Sequence, residues 1–140
     1  MATRAKLAGH VNAVTRQSVL VIDDEPQFLR LIDRALREDF TVLTAADALD
    51  GYALLCQHNP DIVLLDVMMP LLDGWTVLRK IRSNQAVSKV RVIVVTGLGP
   101  EAAEHEAGRL GVMKILYKPI VPSQLVKAIR EVLAATVDPA

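Results

Sequence analysis

The sequence predicts one α/β domain, a five-stranded parallel sheet covered by helices on both faces, and three observations lead there. Short runs of β-branched and other apolar residues alternate five times with amphipathic stretches. The strand runs lack the in–out alternation of a half-exposed strand, as expected where both faces are covered. At 140 residues, 51% hydrophobic but only 4% aromatic, the chain has length for one core built mainly from Val, Ile and Leu.

The elements follow in order. Val19–Ile22 is the first strand candidate, an unbroken apolar run. Phe28, Leu31, Ile32, Ala35 and Leu36 then fall at helical spacing, with Pro26 suited to the first turn, where its missing amide proton costs nothing. Thr41–Thr44 is a shorter strand. Leu49, Tyr52, Ala53 and Cys56 make the next apolar stripe, ended by Asn59-Pro60, and on that stripe Cys56 is expected to pack inward. Ile62–Leu65 is the third strand, with Asp66 at its C-terminal end. After a loop through Met68-Met69-Pro70 and Asp73-Gly74, Val77, Leu78 and Ile81 mark a helix in which Trp75 is expected to be core. Val90–Val95 is the fourth strand, closing on Thr96-Gly97. Residues 100–110 give the weakest helical signal, with Ala103, Ala107 and Leu110 inward. Val112–Leu116 is the fifth strand, before Lys118-Pro119, and Leu125, Ala128, Ile129, Val132 and Leu133 form the last stripe. The expected organisation is a leader over 1–17, a folded domain over 18–135 and a tail over 136–140.

Charge and composition exclude several classes. Sixteen basic residues balance sixteen acidic ones, so nothing global argues for nucleic acid or a membrane surface. The leader holds Arg4, Lys6 and Arg16 and no acid, leaving 13 basic against 16 acidic residues beyond it, a net of −3. Cys56 is the only cysteine; an intrachain disulfide is excluded, and a reducing cytoplasm is the expected location. No apolar run approaches the ~20 residues of a membrane span. His10, His58 and His105 lack metal-ligand spacing and read as surface residues.

In folds of this kind ligands gather outside the carboxyl ends of the strands. Asp23-Asp24 after strand one, Asp66 after strand three, Thr96 after strand four and Lys118 after strand five all fall on that edge. With the flavodoxin-like order 2-1-3-4-5, strands one and three are neighbours and the three carboxylates converge. Two carboxylates ~4 Å apart repel by about 4 kcal/mol at an effective dielectric near 20, so the cluster needs a cation or a proton. Hard oxygen ligands favour Mg²⁺. An Asp nucleophile, a metal, a lysine and a hydroxyl are the parts needed to form and stabilise an aspartyl phosphate.

Over roughly residues 18–135 the chain resembles the receiver domain of bacterial response regulators in two-component signalling, with spacing similar to the single-domain chemotaxis type. The residues carrying the resemblance are VIDDEP with Asp23 and Asp24, LLDVMMPLLDG with Asp66, Pro70, Asp73 and Gly74, VVTG with Thr96, and YKP with Lys118 and Pro119. A lone DD or KP is nearly worthless, but five features in order at expected strand ends are specific. The resemblance implies that Asp66 accepts the phosphoryl group and that Lys118 pairs with one phosphoryl oxygen while Thr96 turns its hydroxyl onto another. It implies Mg²⁺ held directly by Asp24, largely through water by Asp23, and by Asp66 and the Met68 carbonyl. A cis Lys118-Pro119 bond is implied as well. The implied donor is a histidine kinase or a histidine phosphotransfer protein, and the output a protein–protein contact through the last two helices and the strand between them. A dimer formed on phosphorylation is compatible with it.

Two departures stand out. The family's usual aromatic three residues before the lysine is Ile115 here, and Tyr117, adjacent to Lys118, is expected to point the other way. Met68 and Leu98 present bulky apolar side chains two residues beyond Asp66 and Thr96, which predicts slow loss of the phosphoryl group to water.

Competing functions fare worse. A flavodoxin-like electron carrier needs a Ser/Thr/Gly-rich phosphate cradle after strand one, where Asp23-Asp24-Glu25 stands. A dehalogenase-like phosphatase needs an acid where Met68 stands, and no GxxxxGK[ST] exists for a nucleotide hydrolase. The serious alternatives are a receiver-like interaction module that works without phosphorylation, favoured weakly by Ile115, and a receiver fragment of a larger regulator or hybrid kinase. No DNA-binding output domain is expected after residue 135; signalling is then expected to pass through another protein, unless the chain is such a fragment.

Overall fold

The computed structural model describes residues 16–70 and 73–135; the tail, and all of the leader except Arg16 and Gln17, lie outside the described residues. Ten elements alternate without exception: β1 (Ser18–Ile22), α1 (Pro26–Leu36), β2 (Thr41–Ala45), α2 (Ala48–His58), β3 (Ile62–Leu65), α3 (Gly74–Ser83), β4 (Arg91–Thr96), α4 (Pro100–Arg109), β5 (Lys114–Tyr117) and α5 (Pro122–Ala134). The strands form one parallel sheet in the order β2-β1-β3-β4-β5, as the sequence predicts.

Every residue of β3 is buried, and β1 and β4 are buried beyond their first residues. The period-2 alternation of strand side chains splits the core into two layers. Leu20, Ile22, Val63, Leu65, Val92 and Val94 pack against α2 and α3. Val19, Val21, Ile62, Leu64, Ile93 and Val95 pack against Ile32 and Leu36 of α1 and Leu125, Ile129 and Val132 of α5.

Local chemistry sets the helix ends. Pro26, Pro100 and Pro122 each open a helix. Asp47 and Asp73 cap α2 and α3 by accepting the amides of Asp50 and Thr76 at 2.8 Å. Asn59 ends α2 in the left-handed region, at φ 50°.

The α2 stripe expected from sequence is corrected. Ala48, Gly51 and Leu55 face the sheet, while Leu49 is 68% exposed and Ala53 and Cys56 lie outside. A Cβ built on Gly51 would come within 2.5 Å of the Ile22 side chain, so the helix packs so close here that any larger residue would force Ile22 to shift. The large apolar residues therefore sit one position around the wheel from the buried face, and Cys56 is not a packing residue. Leu31 is likewise 43% exposed, and Trp75 only half-buried against the core. β4 starts and ends one residue later than expected, and β5 starts at Lys114 rather than Val112.

Candidate functional site

Three strand ends deliver the polar residues, each held by one more ladder hydrogen bond beyond its strand. The Asp23 amide donates to the Ala45 carbonyl at 3.1 Å, the Asp66 amide to Ile22 at 2.9 Å and the Lys118 amide to Thr96 at 2.8 Å. The sheet thus fixes the backbone of all three before any side chain interacts. Gly74 holds the loop after Asp66 close: its amide donates to the Val67 carbonyl, and a Cβ there would lie 2.5 Å from the Asp66 carbonyl oxygen and the Val67 Cα.

Carboxylate oxygens of Asp23, Asp24 and Asp66 lie within 4.8 Å of one another. The Lys118 ammonium donates to Asp23 Oδ2 at 2.9 Å, Asp66 Oδ2 at 3.2 Å and Glu25 Oε1 at 2.6 Å. The Phe28 ring lies 4.6 Å from the same nitrogen. The remaining oxygens are directed by backbone: Asp66 Oδ1 accepts the Met68 amide at 2.8 Å and Asp23 Oδ1 the Glu25 amide at 2.9 Å. Thr96 is fully buried at the end of β4, its hydroxyl accepting the Leu98 amide at 3.1 Å. The Lys118-Pro119 bond is cis.

Burial raises the Asp23 carboxyl above its ordinary range and the neighbouring Asp66 adds to it, outweighing hydrogen bonds from Lys118 and the Glu25 amide. Burial alone would lower the Lys118 ammonium, but hydrogen bonds to Asp23 and Glu25 overcome it and its pKa is raised. One lysine therefore faces four acids. That deficit of positive charge, in a set of hard oxygen donors, fits a divalent cation such as Mg²⁺.

Sequence reasoning missed Glu25 and Phe28, both of which touch Lys118; nothing in a DDEP segment distinguishes Glu25 from an ordinary helix-start acid. Ile115 packs into the core layer beside Val94. The expected orientation of Tyr117 is corrected: two residues on from Ile115, it lies on the same face of the strand, in register with Thr96, and donates its hydroxyl to Glu104 of α4 at 3.3 Å. A cavity of about 570 Å³ bordered by Asn59, Gln85 and Arg91 lies at the opposite, N-terminal edge of the sheet, away from the acids.

The sequence pattern of the response regulator receiver domain matches residues 19–130. The chain belongs to the response regulator receiver family. Protein PilH of Pseudomonas aeruginosa is 34% identical over 117 residues, which cover 83% of this chain and 97% of that protein. A probable transcriptional regulator, ycf27, of Guillardia theta is 35% identical over 127 residues. That match covers 90% of this receiver but 49% of the relative, so the chain spans about half the length of such curated relatives. The crystal structure of the chemotaxis protein CheY4 of Vibrio cholerae superposes with a TM-score of 0.79 at 25% identity, covering 84% of this chain and 99% of that one. Receiver domains are phosphoacceptor switches of two-component systems, generally not enzymes; they interact with histidine kinases or phosphotransfer proteins and bind Mg²⁺ in an acidic pocket. No described helix is long and apolar enough to cross a membrane.

Proposed function

We propose that this receiver, taken as residues 18–135 between a leader and a tail, accepts a phosphoryl group on Asp66 from a phosphohistidine and signals by binding another protein. The observation that carries the reading is the Lys118 ammonium bridging the carboxylates of Asp23 and Asp66 beside Asp24. An Asp66 oxygen attacks phosphorus, the phosphorus–nitrogen bond breaks, and the imidazole leaves with a proton in place of the phosphoryl group. Lys118 pairs with one phosphoryl oxygen and the Thr96 hydroxyl, released from the Leu98 amide, donates to another. Asp23, Asp24, Asp66 and the Met68 carbonyl would hold Mg²⁺, which supplies charge neutralisation at the transferring group.

A groove of about 500 Å³ beside Lys118, bordered by Phe28, Leu31, Pro119 and Ile120, offers apolar surface for the donor. Met68 is 52% exposed at the rim and Leu98 packs on the core behind it. Neither side chain orients a water, so the phosphorylated form should persist for minutes or longer; decay within seconds would remove that expectation.

The test is acetyl phosphate with Mg²⁺ and intact mass. A phosphoryl mass shift in the parent protein, absent in Asp66→Asn, is expected. No shift in the parent protein would favour a phosphorylation-independent interaction module, a reading that the aliphatic Ile115, partly buried against the core where the family's usual aromatic would stand, also supports.

A further inference from the structure

We propose that Glu25 is a positioning residue for the transfer, an internal competitor that holds the Lys118 ammonium until an arriving phosphoryl oxygen displaces it. The inference rests on the phosphoacceptor reading and specifies how that site is restrained.

An ammonium has three N–H donors. In this structure three carboxylates lie within hydrogen-bond reach of Lys118 Nζ, and the contact to Glu25 is the shortest of them. The Phe28 ring lies against the same nitrogen. No donor is left for a new anion, so a phosphoryl oxygen must take the place of one acid.

The three acids differ in what it costs to let go. Asp23 is 1% exposed, and stripping a buried carboxylate of its cation leaves it neither paired nor hydrated. Asp66 is 4% exposed and, in the proposed reading, is itself the acceptor that will carry the phosphoryl group. Glu25 is 61% exposed, so water takes over its carboxylate at little cost. Glu25 is therefore the ligand that leaves.

Its backbone does not move to do so. The Glu25 amide is fixed on Asp23 Oδ1, and its carbonyl accepts the Leu29 amide at 3.1 Å at the start of α1. Only the side chain swings, from an anchored point beside the entrance groove that it also borders. The exchange swaps one anionic partner of Lys118 for another and changes no covalent bond.

The measurement is the second-order rate of Asp66 phosphorylation in the full chain, with Mg²⁺, for the parent and Glu25→Gln. Two donors are compared, the dianionic acetyl phosphate and the less charged phosphoramidate. A solvent-screened ion pair of this kind corresponds to a gain on the order of two- to fivefold when it is removed. The expected result is the same gain with both donors and a thermal midpoint lowered by at most a few degrees. A gain confined to acetyl phosphate would mean simple charge repulsion at the entrance and overturn the proposal, as would an unchanged or slower rate. A parent protein that takes no phosphoryl group from either donor would overturn the phosphoacceptor reading itself, and this inference with it.

Discussion

The two sides of the site are anchored by different physics. Asp66 follows β3, whose four residues are all buried between two core layers, and the next helix is pressed onto its backbone at Gly74. Lys118 follows β5, an edge strand whose four residues are all only partly buried, flanked by α4 with just Ala103 and Ala107 buried. The acid side is held by packing, which has no slack. The lysine side is held by polar contacts that can be exchanged singly: Arg82 on the carbonyls before β5, Tyr117 on Glu104, and Lys114 on Glu131. A site that must keep its nucleophile still while the flanking surface responds would be divided in this way.

If the acid side is packing-limited, the largest effect should come from one added methyl group. Gly74→Ala puts a Cβ into the Asp66 and Val67 backbone, which cannot rotate aside as a side chain would. A loss of about 3 kcal/mol in denaturant unfolding is expected, with slower Asp66 phosphorylation because the acceptor's own backbone is pushed. A neutral Gly74→Ala would break the comparison.

The lysine side should respond most to loss of a cation. Arg82, at the end of α3, donates from Nε to Leu110, from Nη1 to Ser88 and Val90, and from Nη2 to Gly111, all backbone carbonyls at 2.7–3.2 Å. Leu110 is the C-cap of α4, so the guanidinium ties that helix end and the approach to β5 back onto α3. Burial holds the Arg82 pKa below its ordinary value, the cost of keeping it there. Arg82→Ala should cost about 2 kcal/mol, since carbonyls lose a charged donor, and Arg82→Lys should recover only part, lacking the planar fork. Faster amide exchange should be confined to α4, β5 and the segment 84–90 that Arg82 also holds; a uniform increase over the sheet would contradict the division proposed.

The same division decides what was legible in the sequence. Unbroken apolar runs such as Ile62–Leu65 read correctly because a short aliphatic run between turn signals is what burial on both faces of a strand requires. The site residues could be listed because each ends a strand, and strand ends on one edge converge by topology alone. Their contacts could not: which acids share Lys118 depends on rotamers, and nothing in the sequence marks Glu25 as one of them. The α2 face was misread because periodicity weighs large apolar residues, whereas the close approach to Ile22 selected Ala48 and Gly51. Arg82 was invisible because its partners are backbone carbonyls, which every residue has.

Glycine on the loose side should behave in the opposite sense from Gly74. Gly108 lies in α4 with nothing within 4 Å of an added Cβ. Gly108→Ala should therefore stabilise by about 0.5–1 kcal/mol, from helix propensity and a less flexible unfolded chain. A loss instead would mean that α4 is packed more tightly than its two buried alanines suggest.

The smallest expected effect concerns the strap from β5 to α5. Lys114 Nζ donates to Glu131 Oε1 at 2.7 Å, and this bond, aided by the lysine's charge, holds the Glu131 carboxyl below its ordinary pKa of 4.5. A carboxyl depressed in the folded state binds fewer protons there than in the unfolded chain, so its contribution is full above the ordinary value and is lost as pH falls through the folded one. Denaturant midpoints from about pH 5 down to about pH 3 should therefore fall slightly less for Glu131→Gln than for the parent. Because the pair is solvent-exposed, that difference should shrink further in ~1 M salt, where the screening length is about 3 Å. A difference that survived such salt would place the strap among the packed contacts of the acid side and move the boundary between the two halves outward to α5.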